Sequence, residues 1–301
     1  MIAIFFAALG SLCNASSAVV QRLANVSAPA EVATGWRRAL YLIRQPMWLV
    51  GFLFLGGTFI FTATALYFGQ IAVVQPVLVI ELIFMLGLRR FWLHDPIAMR
   101  TWGAAALTCV GLAGFLIAAH PQEGIGLPST SGWIKAIAAR LVIIVVLLAF
   151  SRGGSPSRKA AMLGSSGAIV WSIDAGFMKA ATAILSQDGW IHLFYHWPLY
   201  LLVVTGVIGT ILVQASLSVG PLMVSQASLL IVDPFSSILL GVELFDEHIN
   251  ASPAAITGAV LSLILMAAGV VLMSRWAPPV MEPHERSETA TDPGKVVLEG
   301  F

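Results

Sequence analysis

The chain has 301 residues, of which 58% are hydrophobic and only 10% are charged, and its mean hydropathy is +0.89. Soluble proteins carry about 25% charged residues, so this composition excludes a soluble globular protein and indicates a polytopic membrane protein. The net charge of +1 gives no sign of a nucleic-acid partner.

Nine apolar segments are long enough to cross a bilayer, which takes about 20 residues of helix. The first, residues 2–24, lacks the basic start of a secretory signal peptide, so we interpret it as a transmembrane helix. The other segments cover residues 47–68, 71–88, 101–119, 132–150, 160–184, 197–218, 221–242 and 254–274. Two joints are very short, at Gly69 and at Gly220, where glycine favours a sharp reversal.

The loops differ in charge on the two sides of these spans. One side holds the basic residues Arg37, Arg38, Arg44, Arg89, Arg90, Arg100, Arg152, Arg158 and Lys159, with Arg275 at the start of the tail. The positive-inside rule therefore predicts a plasma-membrane protein with its N-terminus outside and its C-terminus in the cytoplasm. On the other side, Glu243, Asp246, Glu247 and His248 form an acidic loop, predicted to be solvated, with a mouth that collects metal ions as the alternative.

Two polar stretches lie outside the spans. Residues 30–44 are predicted either as a short helix in the membrane interface or as an ordered loop. Residues 276–301 are rich in proline, glutamate, serine and threonine and are predicted to be a disordered cytoplasmic tail.

The spans fall into two related sets of four, because two runs that each end in an acid correspond. The matched pairs are Gly69 with Gly220, Gln75 with Gln226 and, one position out of register, Glu81 with Asp233. One span, 131–150, lies between the repeats 1–120 and 159–275, so the repeats have opposite orientation. The predicted fold is an all-α polytopic membrane protein of about nine transmembrane helices, with two inverted four-helix repeats joined by one extra helix.

Five ionisable residues lie deep in the predicted spans, namely Glu81, Arg140, Asp174, Lys179 and Asp233. A carboxylate at mid-bilayer depth costs several kcal/mol unless it faces a cavity or a partner, which favours a functional site for the three acids. Arg140 and Lys179 are the predicted charge partners of these acids, either around a transport site or in pairs that only lock the bundle.

Four uncharged residues are further candidates for a transport site. Gln75 and Gln226 occupy matched positions, and Asn14 belongs to a polar face of the first span. Trp171 precedes Asp174 by one helical turn, too deep for an interfacial tryptophan. It is predicted either to line a cavity or to pack within the bundle.

Several of these residues also carry a family resemblance. They are Gly69, Val74-Gln75-Pro76, Glu81, Arg89-Arg90, Trp102-Gly103, Gly111 and Gly114. Together they resemble the drug/metabolite transporter superfamily with its EamA-like members, and the segment VVQPVLVIELIF is most similar to the NIPA-type magnesium-transporter branch. The resemblance covers residues 1 to about 275. It implies two interleaved repeats around a central cavity that opens alternately to either side.

No enzyme motif is apparent, and no cofactor is predicted. The predicted function is a secondary transporter of a small solute or divalent cation. Magnesium is favoured by the branch resemblance, with Glu81 and Asp233 as candidate metal ligands, because Mg²⁺ accepts one or two carboxylates plus waters. The alternatives are a proton-coupled exporter of a small organic metabolite or drug, and a non-transporting membrane scaffold or sensor. The predicted partners are the lipid bilayer and the small substrate, with a homodimer left open.

Overall fold

The computed structural model describes residues 1–26, 44–92, 94, 96–122, 124–125, 127–220 and 222–276. Within these residues the helices are α1 (Ile2–Val26), α2 (Pro46–Phe68), α3 (Ile71–Leu78), α4 (Glu81–Phe91), α5 (Met99–Ala119), α6 (Thr130–Ser151), α7 (Pro156–Asp188), α8 (Trp190–Leu193), α9 (Trp197–Val219), α10 (Leu222–Phe245) and α11 (Pro253–Trp276). In this part of the chain nine helical units are long and apolar enough to span a membrane, with α3 and α4 together forming the third. The protein is an all-α polytopic membrane protein, and the nine predicted spans are confirmed. Residues 27–43 and 277–301, which hold most of the predicted interfacial stretch and tail, lie outside the described residues.

Helix α7 is longer than the predicted span 160–184 because local capping extends it at both ends. The Ser155 side chain accepts a hydrogen bond from the Arg158 N–H at 3.3 Å, and Pro156 occupies the first helical position, where its missing N–H costs nothing. The helix ends at Gly189, whose φ of +82° is in the region that favours glycine. In the most apolar stretch of α7, 72% of the residues are buried, so α7 lies at the centre of the bundle.

The two short joints have matching conformations and matching neighbours. Gly69 and Gly220 are both extended, with φ of −157° and −146°. A Cβ on Gly69 would lie 2.5 Å from the Ala3 Cβ, and a Cβ on Gly220 would lie 2.5 Å from the Pro156 carbonyl oxygen. Each glycine therefore lies against the start of the first helix of its own half.

The two ends of α7 show that the halves are inverted. Its start lies against Gly220, whereas Ser186 and Gln187 near its end share a cavity with Gly69. Since α1 starts at Gly69, α1 and α7 run in opposite directions. We call these two ends of the bundle the Gly69 face and the Gly220 face; which of them is outside the cell stays a prediction.

Packing repeats within each half and crosses between the halves. Helix α2 packs along α1 as α9 packs along α7, and across the halves α5 packs on α11 and α3 on α10. The α5–α11 contact is reciprocal, because a Cβ on Gly111 would overlap the backbone of Met266 and a Cβ on Gly269 would overlap that of Thr108. Small residues at these positions let the helix backbones approach closely. The predicted fold class is thereby confirmed.

Candidate functional site

A cavity of about 170 Å³, lined by both polar and apolar side chains, lies where the two halves meet. It is bounded by α1, α3 and α4 from the first half and by α7 and α10 from the second. Its lining residues are Asn14, Gln75, Leu78, Val79, Glu81, Trp171, Leu229, Leu230, Asp233 and Pro234. Two carboxylates, two amides and an indole thus face one small space inside a membrane protein.

A 3₁₀ turn in the third span lies directly before Glu81 at this cavity. Beyond Pro76 the N–H groups bond three residues back instead of four. Val79 N donates to the Pro76 carbonyl at 3.2 Å, and Ile80 N donates to the Val77 carbonyl at 3.0 Å. Val79 and Ile80 keep helical backbone angles, with φ of −59° for both and ψ of −21° and −18°. The predicted span 71–88 is therefore one membrane span, Ile71–Phe91, with a 3₁₀ turn between α3 and α4. A 3₁₀ stretch within a helix often marks a functional hinge.

The polar face of α1 contacts both sides of this turn. Ser11 Oγ donates a hydrogen bond at 3.3 Å to the carbonyl of Leu78, the last residue of α3. Three residues further along α1, the Asn14 side-chain amide donates to a carboxylate oxygen of Glu81. Because residues three apart share one face of a helix, both contacts come from the same side of α1. Helix α1 thus holds both the end of α3 and the acid that starts α4.

The second acid has a different setting. Asp233 is followed by Pro234, yet α10 continues unbroken from Leu222 to Phe245. Its carboxylate accepts a hydrogen bond from Ser237 Oγ on the next turn, at 3.2 Å. Glu81 is therefore held by another helix, whereas Asp233 is held by its own, and the two acids are not equivalent.

Five of the seven predicted transport residues line this cavity, namely Asn14, Gln75, Glu81, Trp171 and Asp233. Trp171 also packs against α9, since a Cβ on Gly209 would overlap its indole ring. The two interpretations of Trp171, cavity lining and packing, are both correct for this side chain.

The structure does not bring Asp174 and Gln226 to the cavity lining. Asp174 lies at the contact of α7 with α9 and accepts a hydrogen bond from Thr205 Oγ1 at 2.8 Å. Although Asp174 is one helical turn from Trp171, its carboxylate bonds Thr205 and does not line the cavity. Gln226 is half-buried on α10, about two turns before Asp233. Gln226 was predicted from its match with Gln75. The repeats are offset by one position at their acids, and the 3₁₀ turn after α3 has no counterpart in the continuous α10, so the match does not extend to the cavity.

The predicted charge partners are wrong. Arg140 does not pair with a central acid; its guanidinium donates to Glu243 at 3.1 Å and to the Ala136 and Ser236 carbonyls. Long basic side chains extend toward the ends of their spans, where Glu243 and Glu247 lie. Lys179 pairs with Glu247, at 2.5 Å. The cavity lining consequently holds two acids and no base.

The prediction of a solvated acidic loop is wrong for Glu247, whereas Glu243 is 55% exposed as predicted but lies on a helix. Glu243 belongs to α10, which extends three residues beyond the predicted end at 242. Glu247 is only 2% exposed, and its carboxylate accepts bonds from the Ile71 and Ala72 N–H groups at 2.7 and 2.9 Å. Asp246 has a φ of +53°, a left-handed turn conformation that the surrounding sequence does not predict.

A metal ion at the cavity would have few protein ligands. Among the described residues, no group of three or more His, Cys, Asp and Glu side chains is placed to hold a metal. Glu81 and Asp233 can supply carboxylate oxygens, and Asn14 and Gln75 can supply amide oxygens. Such a set suits a cation that keeps part of its water shell, as Mg²⁺ does.

The fold and the cavity define an integral, multi-pass membrane protein with a polar centre between two inverted halves. No protein-family model matches the chain, and no solved structure matches it. The chain is 25% identical over 279 residues to an uncharacterized protein of Corynebacterium glutamicum, a match that covers 91% of this chain and 95% of that protein. Because that relative is uncharacterized, the similarity says nothing about what either chain does.

Proposed function

We propose that this protein is a secondary transporter of the drug/metabolite transporter type, which binds a small cationic substrate between its two halves at Glu81 and Asp233. The observation that carries this proposal is the cavity itself. It lies beside a 3₁₀ turn of the third span, at the contact between inverted halves, and both halves contribute an acid to its lining. Transporters built from inverted repeats place their substrate sites in this position.

The charge of the lining favours a cation. With both carboxylates ionised the lining carries two negative charges, and neither deep base contributes to it, since Arg140 and Lys179 pair elsewhere. A buried pair of acids is unfavourable unless a cation or a proton compensates it. A cationic substrate supplies that compensation each time it binds.

The size of the cavity favours a small substrate. About 170 Å³ is well below the roughly 300–1,000 Å³ of pockets that hold drug-sized molecules. A divalent cation such as Mg²⁺ needs only one or two carboxylates, with water and amide oxygens completing its shell. Magnesium is therefore the first substrate to test, in agreement with the resemblance to the NIPA-type branch.

Trp171 favours a second candidate, a small organic cation. An indole face attracts a cationic group by roughly 0.5–2 kcal/mol, an attraction that a hydrated metal ion uses less well. In that case an acid of the cavity would exchange the substrate for a proton. The two candidates differ in whether Trp171 contributes to substrate affinity.

The decisive experiment is flux in proteoliposomes. Purified protein is reconstituted at matched insertion levels, and Mg²⁺ entry is followed with a magnesium-sensitive dye trapped inside. A parallel set measures entry of labelled tetramethylammonium under an imposed pH gradient. Glu81→Gln and Asp233→Asn are each expected to lower flux of the true substrate by about tenfold or more, the equivalent of about 1.4 kcal/mol of lost interaction.

Asp188→Asn is the matched control, because Asp188 is about 45% exposed on the Gly69 face and does not line the cavity. Its flux is expected to stay close to that of the wild type. Normal flux in both Glu81→Gln and Asp233→Asn would refute the central site. If both variants are destabilised and the wild type shows no flux of either substrate, the scaffold or sensor alternative would be favoured.

A further inference from the structure

The Glu247 carboxylate joins three separate elements at the Gly69 face. It accepts two N–H groups from the start of α3, at Ile71 and Ala72, and it pairs with the ammonium group of Lys179 on α7. Its own N–H donates to the Gly241 carbonyl at 3.0 Å. A side chain at Gly241 would overlap the Glu247 carboxylate, so the absence of a Cβ there makes room for the acid.

These contacts cross the boundary between the halves. Ile71 and Ala72 belong to the first half, whereas Lys179 and Glu247 belong to the second. Both oxygens of the carboxylate take part, since Oε1 bonds Ile71 and Lys179 while Oε2 bonds Ala72. We call this set of four residues the Glu247 clamp.

The loops around the clamp are also joined across the halves. Gln122 and His248 form an antiparallel backbone pair, with hydrogen bonds of 2.8 and 3.3 Å. Ile125 N donates to the Phe245 carbonyl at 2.7 Å, and Asn250 N donates to the Ala119 carbonyl at 2.8 Å. These hydrogen bonds join the loop after α5, in the first half, to the loop after α10, in the second half, at the Gly69 face.

A second cavity, of about 240 Å³, lies beside the clamp on this face. Its lining residues are Leu66, Tyr67, Gly69, Gln70, Gly124, Ile125, Lys179, Thr182, Ala183, Ser186 and Gln187. Lys179 is shared between this cavity and the clamp, and its side chain is 12% exposed while that of Glu247 is fully buried. Movement of the Lys179 side chain into this cavity would hydrate its ammonium group and break its ion pair with Glu247.

Helix α3 connects the clamp to the central cavity over a short distance. It has only eight residues, of which the first two bond Glu247 and the fifth, Gln75, lines the central cavity. At about 1.5 Å per residue, the clamp lies only about 6 Å, or one helical turn, from that cavity. The 3₁₀ turn at Val79 and Ile80 is the hinge about which α3 would tilt relative to α4.

Resting on the transport function proposed above, we propose that Glu247 is the gate residue of the Gly69 face. Its carboxylate holds α3 of the first half against α7 and α10 of the second, and this closes the central cavity from that face. Release of the carboxylate from the α3 N–H groups and from Lys179 is the step that opens the cavity to the Gly69 face. The structure represents the state in which this gate is closed.

Thiol labelling of a cavity residue tests the gate without requiring a known substrate. The native cysteines Cys13 and Cys109 are replaced by serine, and Leu229→Cys serves as the reporter because Leu229 lines the central cavity. A membrane-impermeant thiol reagent is applied to vesicles of each orientation. Ser252→Cys, in a separate sample, identifies the Gly69 face, since Ser252 is exposed in the loop after α10.

Glu247→Gln is expected to speed labelling of the reporter from the Gly69 face by about tenfold, because labelling follows the population of the open state. Asp188→Asn is the matched control, a charge removal on the same face at a side chain that is 45% exposed and outside the clamp. It should leave the labelling rate unchanged. An equal rate in the parent and Glu247→Gln would overturn the gate.

A cross-link provides a second measurement that leaves Glu247 in place. Residues opposed in a hydrogen-bonded antiparallel pair have Cα atoms about 5.5 Å apart, which suits a disulfide. Gln122→Cys/His248→Cys in the cysteine-free background is therefore expected to lose flux on oxidation and to regain it with a reductant. Flux that continues at full rate in the oxidised protein would overturn the gate. Absence of flux in the reduced protein would count against the transport function, while the labelling result would still decide the gate.

Discussion

The side-chain amide of Asn14 donates a hydrogen bond to the Glu81 carboxylate, from α1 to the first residue of α4. This contact fixes the acid of the first half directly after the 3₁₀ turn of its span. The acid of the second half, Asp233, instead accepts its hydrogen bond from Ser237 on its own helix. The two inverted halves therefore build a site whose two carboxylates differ in how firmly they are held.

Removal of the Asn14 amide should weaken substrate binding without unfolding the protein. Hydrogen bonds to charged groups contribute about 1.5–3 kcal/mol, so Asn14→Leu is expected to raise the substrate KM by about tenfold or more. Ser16→Ala is the control, because Ser16 bonds the Leu12 carbonyl of its own helix and does not line the cavity. Initial flux rates over a range of substrate concentrations measure the effect. An unchanged KM in Asn14→Leu would show that the amide does not position Glu81 for binding.

The membrane fold follows from the sequence to a large extent. Spans are set by about 20 apolar residues each, and the opposite direction of the halves follows from the odd span between them. The two short joints were recognisable because only glycine permits the close approach to Ala3 and to Pro156. Composition and spacing carry this information, since the bilayer leaves few alternatives for the backbone.

The pairing of the charges could not be predicted in the same way. Depth along a span places Arg140 and Lys179 near the central acids, but their long side chains extend toward Glu243 and Glu247. Which acid a base reaches depends on helix rotation and on loop conformation, such as the positive φ of Asp246. A hydrophobic pattern predicts neither the rotation of a helix nor the conformation of a loop. The burial of Glu247 was missed for this reason.

The glycines at the two joints should respond alike to a methyl group. Gly69→Ala and Gly220→Ala each place a Cβ about 2.5 Å from a neighbouring atom, closer than any relaxed contact. Overpacking of this kind typically costs about 1–3 kcal/mol, so both variants are expected to melt at a lower temperature than the wild type. Gly56→Ala is the control, since nothing lies within 4 Å of its added Cβ. Thermal unfolding in detergent measures all three. A normal melting temperature in one joint variant alone would contradict the equivalence of the two joints.

The buried ion pair of Lys179 and Glu247 should be asymmetric in its response to substitution. Lys179→Met leaves the fully buried Glu247 carboxylate without its cation, which typically costs about 3–5 kcal/mol. Glu247→Gln should cost less, because Lys179 can turn its ammonium group into the adjacent cavity. The double variant Lys179→Met/Glu247→Gln should be more stable than Lys179→Met alone. Denaturation midpoints of the three variants form a double-mutant cycle. Additive effects would mean that the two side chains do not interact.

Trp171 distinguishes the two substrate candidates. An organic cation that contacts the indole face should lose about 0.5–2 kcal/mol of binding in Trp171→Leu, or roughly two- to thirtyfold in affinity. Mg²⁺ that keeps its water shell should bind nearly as well as before. Trp171→Phe keeps a weaker aromatic face and should be intermediate for the organic cation. Titrations of both ligands, followed by the thermal shift of the purified protein, compare the three forms. Equal weakening of Mg²⁺ binding and organic-cation binding would indicate that Trp171 acts only by shaping the cavity.

Asp174 provides the sharpest test of where the site ends. Its carboxylate faces Thr205 on α9, whereas Asp233 faces the cavity, although both acids lie deep in their spans. Asp174→Asn retains an oxygen that can accept the Thr205 hydrogen bond, so the contact between α7 and α9 is expected to persist. Substrate affinity should consequently stay within about twofold of the wild type in Asp174→Asn and fall by about tenfold in Asp233→Asn. Titration of the purified variants with MgCl₂ measures this difference. If Asp174→Asn loses as much affinity as Asp233→Asn, Asp174 must reach the substrate in another conformation of the transport cycle, and the separation of the two acids would hold only for the closed state.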